Sequence, residues 1–192
     1  MIKKYRISKN SFVEIPDNVS CIGFFDGVHL GHQALIKKTV ELAKEKKVEP
    51  FLITFYPDPA DIISSKKTKH INTLNRRIEL FEKFGIDSVI IIEFDKEVMS
   101  IDEKEFTNLY LKNLNLKGLV CGYDFHYGYK GLGDHITLKK EMKEVCPVYM
   151  VDEVKYYGKK VSSTRIKEEI EMKNYKLVDK LLGYRYQNEW SV

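Results

Sequence analysis

The most informative segment of this chain is Gly23-Phe24-Phe25-Asp26-Gly27-Val28-His29-Leu30-Gly31-His32-Gln33. It overlaps the end of an apolar run, Val19 to Phe25, that predicts a buried strand, and it leads into a helix predicted over Gly31 to Lys46. The start of a helix offers unpaired N–H groups and the positive end of the helix dipole, so a turn of this kind binds anions. Gly27 and Gly31 leave the main chain open to a close approach by a ligand. The segment therefore predicts a strand-to-helix turn that binds a nucleotide.

His29 and His32 are the candidate catalytic residues of this turn. Their spacing of three at a helix start places both imidazoles on one side, where they can donate hydrogen bonds to phosphate oxygens. One alternative is that one histidine caps the helix while the other packs in the interior. Another is a metal site formed by Asp26, His29 and His32, for which the sequence offers no further Cys or His cluster. Two histidines, two glycines and an aspartate within residues 26–32 favour the phosphate interpretation.

The rest of the chain alternates short apolar runs with amphipathic segments, a pattern typical of β-α units that build a parallel sheet. Further strands are predicted over Phe51–Phe55, Ser88–Phe94, Leu116–Gly122 and Val148–Val151. Further helices are predicted over Asn75–Phe84, Asp102–Asn113, Ile136–Val145, Ser163–Met172 and Tyr175–Leu182. The fold class is therefore α/β, with about five parallel strands and helices on both faces.

Size and charge exclude several classes of protein. A chain of 192 residues that is 43% hydrophobic can bury one sizeable core, so we expect a single domain over 1–192 with its core in about residues 18–183. The net charge of +4 is too small to indicate a nucleic-acid partner. Lysine runs such as Lys66-Lys67 are interpreted as solvated exteriors, with contact to an anionic surface as the alternative.

The cysteines and the N-terminus show no pattern of a disulfide framework, a zinc site or a signal peptide. Cys21, Cys121 and Cys146 are odd in number and widely spaced, which predicts neither a disulfide framework nor a zinc site. The first residues contain no apolar signal region, and the chain has no run of about 18 apolar residues that would span a membrane. We therefore expect a cytoplasmic protein without a membrane partner.

Three more segments are expected near the same turn. Val161-Ser162-Ser163-Thr164-Arg165-Ile166-Lys167 opens a predicted helix with hydroxyls and two cations, a set suited to a polyphosphate, although Ser and Thr also open many helices merely as caps. Thr54-Phe55-Tyr56-Pro57-Asp58-Pro59 and Gly122-Tyr123-Asp124-Phe125-His126-Tyr127-Gly128 each follow a predicted strand, at the sheet edge where open α/β folds bind ligands. Their aromatic rings can stack on a flat ligand, while the alternative is a turn whose Asp satisfies nearby main-chain donors.

Several common catalytic motifs are absent. The sequence contains no G-x-x-x-x-G-K-[ST] loop, no G-x-S-x-G elbow and no H-E-x-x-H pair. P-loop kinase, α/β-hydrolase and metalloprotease chemistry are therefore disfavoured.

Taken together, the four segments resemble the adenylyltransferase domain of bacterial FAD synthetase, the bifunctional riboflavin kinase/FMN adenylyltransferase, within the nucleotidyltransferases marked by an H-x-G-H signature. The resemblance runs from about Ser20 to Gly183, in the same order and spacing. It implies a Rossmann-like fold and the reaction of ATP with FMN to give FAD and pyrophosphate, with Mg²⁺ carried by ATP. The riboflavin kinase domain is not expected in these 192 residues.

The resemblance also implies site residues. His29 and His32 would bind the ATP phosphates and stabilise the transition state. The residues implied for ATP binding are Gly23, Phe24, Phe25, Asp26, Gly27, His29, Gly31, His32, Ser163, Thr164 and Arg165. Those implied for the flavin are Phe55, Pro57, Asp58, Asp124, Phe125 and Tyr127.

Four positions depart from the pattern of the family. Phe24 stands where Asn is usual, Asp58 where His is usual, His126 where Arg is common, and Lys167 where Arg is usual. An Arg fork and a Lys point charge are not equivalent at phosphate, so substrate choice can differ. Two alternatives therefore stay open: a related nucleotidyltransferase with another phosphate acceptor, and a non-catalytic protein that binds flavin or nucleotide.

Overall fold

The protein is described here by a computed structural model, which covers residues 2–187 except 10, 12 and 65–67. The predicted lysine run Lys66-Lys67 and the end of the chain from 188 to 192 lie outside the described residues. Three free cysteines, Cys21, Cys121 and Cys146, are all buried, as expected for small core side chains. Within the described ranges, none of the helices has the length and apolar character needed to cross a membrane.

One parallel sheet of six strands forms the centre of the molecule, in the order β1-β4-β3-β2-β5-β6. The strands are β1 (Lys3–Ile7), β2 (Asn18–Ile22), β3 (Glu49–Tyr56), β4 (Ser88–Glu93), β5 (Leu116–Gly122) and β6 (Val148–Val151). All five predicted strands are present. The additional strand, β1, pairs with β4 at the edge of the sheet, and only Ile7 of its five residues is buried. Because β1 contains so few apolar residues, its sequence shows no alternating or continuous apolar pattern that would predict a strand.

Eight helices surround the sheet among the described residues. They are α1 (Leu30–Lys46), α2 (Pro59–Ser64), α3 (Leu74–Lys83), α4 (Lys96–Ser100), α5 (Glu103–Leu109), α6 (His135–Glu141), α7 (Ser163–Glu171) and α8 (Tyr175–Leu182). The helix predicted over Asp102–Asn113 is instead α5 followed by a 3-10 turn at Leu111–Asn113. Two short helices, α2 and α4, were not predicted, nor was the hairpin of β7 (Lys155–Tyr156) and β8 (Lys159–Lys160).

Both faces of the sheet are buried, which confirms the predicted layers. Alternate residues of β3 enter different clusters, since Phe51 and Ile53 pack on one face and Leu52 on the other. The first face is covered by residues of α5 and α6 such as Phe106 and Leu138. The second is covered by α1 and α3, through residues such as Leu35, Ile36, Ile78 and Phe81. Parallel strands buried on both faces are continuously apolar, which is why they were visible in the sequence.

The strand order places a ligand site beside β2. The chain runs from β2 through β3 to β4 on one side and then returns to β5 and β6 on the other. In open α/β sheets the crevice at such a reversal, outside the carboxyl ends of the strands, is where ligands bind. The segments that follow β2, β3, β5 and β6 all meet at this edge.

Candidate functional site

The turn between β2 and α1 has an unusual backbone. Phe25 and Val28 have φ of 63° and 38°, and Gly27 has φ of 82°. A Cβ on Gly27 would lie 2.8 Å from Cδ1 of Ile71, so a side chain does not fit there. Conformations of this kind cost free energy in ordinary residues and persist only when surrounding contacts impose them.

Asp26 supplies several of those contacts. Its side chain is 5% exposed, and its Oδ1 accepts a 2.8 Å hydrogen bond from the main-chain N–H of Ile71. Its Oδ2 lies 2.8 Å from Nζ of Lys167 in α7. Burial alone would raise the pKa of Asp26, but His70 and Lys167 outweigh burial and hold this pKa below its usual value. Asp26 therefore stays ionised and ties the turn to the segment before α3 and to α7.

The two histidines form one stacked pair at the start of α1. His29 is the N-cap, and its Nδ1 accepts a 3.3 Å hydrogen bond from the main-chain N–H of His32. The ring centroids are 3.6 Å apart with an interplanar angle of 15°. A Cβ on Gly31 would lie 3.1 Å from Cε1 of His29, so the glycine makes room for the imidazole. The capping role proposed as an alternative is therefore real for His29, and His32 packs against both His29 and the buried ring of Phe25.

Both imidazoles are neutral near pH 7. Burial lowers the pKa of His29 to about 4, although Asp26 and Asp124 oppose this effect. Burial also lowers the pKa of His32 well below its usual value, and the neighbouring His29 and Arg77 lower it further. Because Nδ1 of His29 accepts a hydrogen bond, the neutral ring carries its proton on Nε2. His29 is thus a fixed neutral donor.

The histidine pair lines a cavity of about 450 Å³. The walls come from the turn after β2, the end of β3, the segments after β5 and β6, and the start of α7. Among the described residues the predicted site residues on these walls are Gly23, Phe24, Phe25, His29, Gly31, His32, Phe55, Asp124, Phe125 and Ser163. Asp26 and Gly27 do not line the cavity and instead fix the turn through their contacts with Ile71 and Lys167. The cavity therefore brings together segments from most of the chain.

The start of α7 lines the cavity next to the turn that carries the histidines. Ser162 is the N-cap of α7 and accepts a 3.3 Å hydrogen bond from the N–H of Arg165. Ser162 and Ser163 line the cavity. Nη1 of Arg165 lies within hydrogen-bonding distance of the carbonyl oxygens of Tyr156, Lys159 and Lys160, at 3.2, 3.0 and 3.2 Å. The structure thus places Arg165 against the β7–β8 hairpin, and Thr164 lies beside it outside the cavity lining.

Lys160 is a cavity residue that the sequence did not reveal. Its Nζ pairs with Asp124 and lies 4.9 Å from the ring centroid of Tyr123. The only signal was Gly158 in front of the lysines, where a hairpin turn requires the positive φ of 73°. Arg165 holds the main chain of Lys160, and Asp124 pairs with its ammonium group. Together they position the Lys160 cation in the cavity wall.

Three residues expected on the flavin side lie elsewhere. Pro57 and Asp58 line a second cavity, of about 550 Å³, on the other side of Phe24. Tyr127 is 6% exposed and packs between Phe106 and Phe125, with ring centroids 5.7 and 5.6 Å away. Tyr127 is therefore a core residue that supports Phe125, which does line the first cavity.

Phe24 separates the two cavities and lines both. The guanidinium carbon of Arg77 lies 4.2 Å from the centroid of its ring, and Nη1 of Arg77 donates a hydrogen bond to the carbonyl oxygen of Phe24. Arg77 is 3% exposed, and burial lowers its pKa. Sequence reasoning missed this buried arginine because it lies inside an ordinary amphipathic helix, α3.

The alternative metal site at Asp26, His29 and His32 does not form within the described part of the chain. The oxygens of Asp26 face Ile71 and Lys167, and Nδ1 of His29 is used in the cap. One other group of possible ligands is found among the described residues, namely Asp58, Asp61 and His70.

A protein-family model described as FAD synthetase matches residues 13–165. The chain belongs to this family. A "Bifunctional riboflavin kinase/FMN adenylyltransferase" of Listeria monocytogenes is 33% identical over 178 residues, which cover 92% of this chain and 57% of the relative. A "Putative bifunctional riboflavin kinase/FMN adenylyltransferase" of Geobacillus thermodenitrificans is 31% identical over 176 residues, 91% of this chain and 94% of the relative.

Solved structures agree with the fold. A crystal structure titled as a macrolide-efflux protein from Streptococcus pneumoniae has a TM-score of 0.87 and 27% identity. The match covers 97% of this chain and 72% of that one. This chain covers 57% of the length of the Listeria relative.

Proposed function

We propose that this member of the FAD synthetase family is an FMN adenylyltransferase that joins ATP and FMN into FAD and pyrophosphate. One observation supports it above all: the stacked, neutral pair of His29 and His32 and the adjacent start of α7 line a single cavity. The starts of two helices, α1 and α7, thus border the same space, an arrangement suited to a polyphosphate. The name of the Listeria relative, which includes FMN adenylyltransferase, supports FMN as the acceptor and adenylyl transfer as the reaction.

The proposed step is an in-line transfer. An oxygen of the FMN phosphate attacks the α-phosphorus of ATP, a new P–O bond forms, and the bond to the bridging oxygen of the pyrophosphate breaks. The leaving group departs as an anion, so the protein needs to position the reactants and stabilise charge. His29 donates from Nε2, and Lys160 adds a positive charge at the mouth. A positioned donor of this kind can contribute about 2.7 to 4 kcal/mol to transition-state stabilisation.

Magnesium fits this site as a companion of ATP. Mg²⁺ is usually bound by one or two carboxylates together with substrate phosphates and water. The cavity wall carries Asp124, Asp152 and Glu153, of which Asp124 is paired with Lys160 and Glu153 with Lys155. Asp152 is thus the carboxylate we assign to Mg²⁺, which supplies neutralisation of the phosphate charge when it is bound.

The binding roles follow the two ends of the cavity. We assign the ATP phosphates to His29, His32 and Ser163, with Thr164 and Arg165 shaping the start of α7 behind them. The flavin is assigned to the aromatic side, where Phe55 and Phe125 line the cavity. Pro57 and Asp58 support that side from the second cavity.

A second acceptor class is favoured by one observation at Phe24. Its ring, stacked under Arg77, occupies a position where the family usually carries a polar Asn. An apolar ring at the cavity wall removes a hydrogen-bonding group, so another phosphate or phosphonate acceptor is the alternative to FMN. A non-catalytic flavin-binding protein is a third candidate, but binding alone does not require a stacked pair of neutral histidines.

Incubation of the protein with ATP, Mg²⁺ and FMN, followed by chromatography, tests the proposal. We expect FAD and pyrophosphate in equal amounts, with His29→Ala and His32→Ala losing turnover by roughly 100-fold or more. His135→Ala is the matched control, because His135 opens α6 and is not among the residues lining the cavity. Pyrophosphate released only with another acceptor would support the second candidate. Tight flavin binding without pyrophosphate would support the third.

A further inference from the structure

The second cavity is the most distinctive feature outside the proposed adenylyl-transfer site. It lies at the end of β3 and has a volume of about 550 Å³. Its walls include Asp58, Asp61 and His70, together with Thr68 and the ring of Phe24.

Three metal-ligating side chains converge in this cavity. One nitrogen of His70 and one oxygen each of Asp58 and Asp61 lie within 4.8 Å of one another. Nδ1 of His70 is 3.3 Å from Oδ2 of Asp58, and Nε2 is 3.6 Å from Oδ2 of Asp61. Ligand atoms of a tetrahedral zinc site are roughly 3.4 Å apart, given bonds of about 2.0 to 2.2 Å. The 3.3 Å separation of His70 Nδ1 from Asp58 is close to this value, whereas Asp61 lies nearest the other ring nitrogen, Nε2, so an ion bound at Nδ1 requires the side chain of Asp61 to shift toward it.

The local structure holds these side chains in place. Asp58 precedes α2, and its Oδ1 accepts a 2.8 Å hydrogen bond from the N–H of Ala60, which leaves Oδ2 facing His70. Asp61 lies three residues later, on the same side of the short helix. Oγ1 of Thr68 is 2.7 Å from Asp61, 3.3 Å from Asp58 and 3.4 Å from His70. The hydroxyl oxygen of Thr68 thus lies within 3.4 Å of all three side chains.

Two further observations point to a cation. Nδ1 of His70 is wholly buried and lies beside two carboxylates, 3.3 Å from Oδ2 of Asp58 and 3.9 Å from Oδ2 of Asp26, so negative charge is concentrated at this nitrogen. The side chain of Asp58 is only 10% exposed, and a second carboxylate, Asp61, lies beside it. Buried carboxylates are normally paired or coordinated to a metal, because an unpaired buried charge is costly. In the described part of the structure, His70 is the one nitrogen base placed between Asp58 and Asp61.

We propose that Asp58, Asp61 and His70 form a binding site for one divalent first-row transition metal ion, open to the second cavity. Two carboxylate oxygens and one imidazole suit Zn²⁺, Co²⁺ or Mn²⁺, whereas Mg²⁺ and Ca²⁺ prefer oxygen ligands alone. The hydroxyl of Thr68 or a water from the cavity completes the coordination.

Cobalt is the probe that tests the site, because tetrahedral Co²⁺ has visible absorption bands whereas Zn²⁺ does not. The full chain is stripped with a chelator, desalted and titrated with Co²⁺, and Zn²⁺ is then added in competition. We expect one equivalent of Co²⁺ with these bands, displaced by Zn²⁺. Asp61→Asn and His70→Gln should each weaken binding by tenfold or more.

Matched variants separate this site from the first cavity. Glu79→Gln and His135→Ala change a carboxylate and an imidazole outside the group and should leave the Co²⁺ titration unchanged, as should His29→Ala. A titration without saturable binding, or one that His70→Gln and Asp61→Asn leave intact, would overturn the proposal. Because the readout is metal absorption, a protein that binds Co²⁺ but makes no FAD would refute the proposed function alone.

Discussion

The hydroxyl of Ser163 donates a 2.8 Å hydrogen bond to the main-chain carbonyl oxygen of Asp26, across 137 positions of sequence. The bond joins the start of α7 directly to the turn that precedes α1. The same two segments are held a second time by the ion pair of Lys167 with Asp26. Two helix starts that could each bind a phosphate separately are thereby fixed in one geometry.

Ser163→Ala should therefore affect both stability and catalysis. Loss of one largely buried hydrogen bond is expected to lower the free energy of unfolding by about 1 kcal/mol. Since small misplacements of reacting groups are costly, kcat for FAD formation should fall by roughly tenfold or more. Urea denaturation and steady-state kinetics measure the two effects.

Ser100→Ala is the control for this substitution. Ser100 also donates to a main-chain oxygen, that of Glu97 at 2.7 Å, but at an exposed position at the end of α4. It should leave kcat unchanged. Equal kinetic effects of both substitutions would show that the link between the two helix starts has no role in the reaction.

The lowered pKa of His29 predicts a pH-dependent stability. The folded protein holds this pKa at about 4, against 6.5 for the free side chain, because the ring is buried. Between these values the unfolded chain binds more protons, so the contribution of His29 to stability is present above pH 6.5 and is lost as the pH falls toward 4. The full difference corresponds to about 3 kcal/mol.

The comparison of wild type with His29→Gln isolates this contribution. Carboxylates also titrate in acid, but they do so in both proteins. Unfolding free energies measured from pH 4 to 7.5 should fall more steeply with acid in the wild type than in His29→Gln. Parallel curves would mean that His29 titrates normally and is accessible to solvent.

The sequence predicted what depends on local pattern. The four interior strands, β2 to β5, are largely buried on both faces, the edge strand β6 is a short apolar run, and the turn at 23–33 combines glycines with a helix start, so these features were visible without knowledge of contacts. Phe55 and Asp124 line one cavity with His29 because the carboxyl ends of parallel strands share an edge of the sheet. The edge strand β1 was missed because four of its five residues are polar or partly exposed.

Other features depend on contacts that no local pattern contains. Arg77 lies in α3 among other charged residues, and only the fold shows that it stacks on Phe24. His70 belongs to a polar segment, and its carboxylate neighbours come from three places in the chain. Asp58 was assigned to the flavin through the resemblance to FAD synthetase, yet in the structure it lines the second cavity.

Gly27→Ala tests whether the turn before α1 depends on a missing side chain. Its positive φ costs an alanine about 1 kcal/mol, and contact with Ile71 at 2.8 Å adds overpacking of about 1 to 3 kcal/mol. Gly158→Ala is a closely matched control, because Gly158 also has a positive φ of 73° but a Cβ there would have nothing within 4 Å. Urea denaturation should show a clearly larger loss of unfolding free energy for Gly27→Ala than for Gly158→Ala. Equal losses would show that the contact with Ile71 adds no destabilisation.

Arg165 provides the sharpest test of how the triphosphate side is built. The sequence assigned it to ATP, whereas in the structure its Nη1 lies against three carbonyl oxygens of the β7–β8 hairpin, which carries Lys160 to the cavity. If the hairpin contact matters, Arg165→Lys should behave almost like Arg165→Met, because a lysine keeps the charge but not the fork. Both should raise KM for ATP and speed hydrogen exchange at 155–160.

A direct contact of Arg165 with phosphate gives a different pattern. Arg165→Lys would then retain much of the affinity that Arg165→Met loses, since charge dominates a single phosphate contact, and hydrogen exchange in the hairpin would stay as in the wild type. Arg76→Met, which removes an arginine in an exposed ion pair with Glu79, controls for the loss of positive charge alone. The exchange rate at the hairpin therefore decides between the two roles, because substrate affinity changes in both while the backbone of β7 and β8 responds in one.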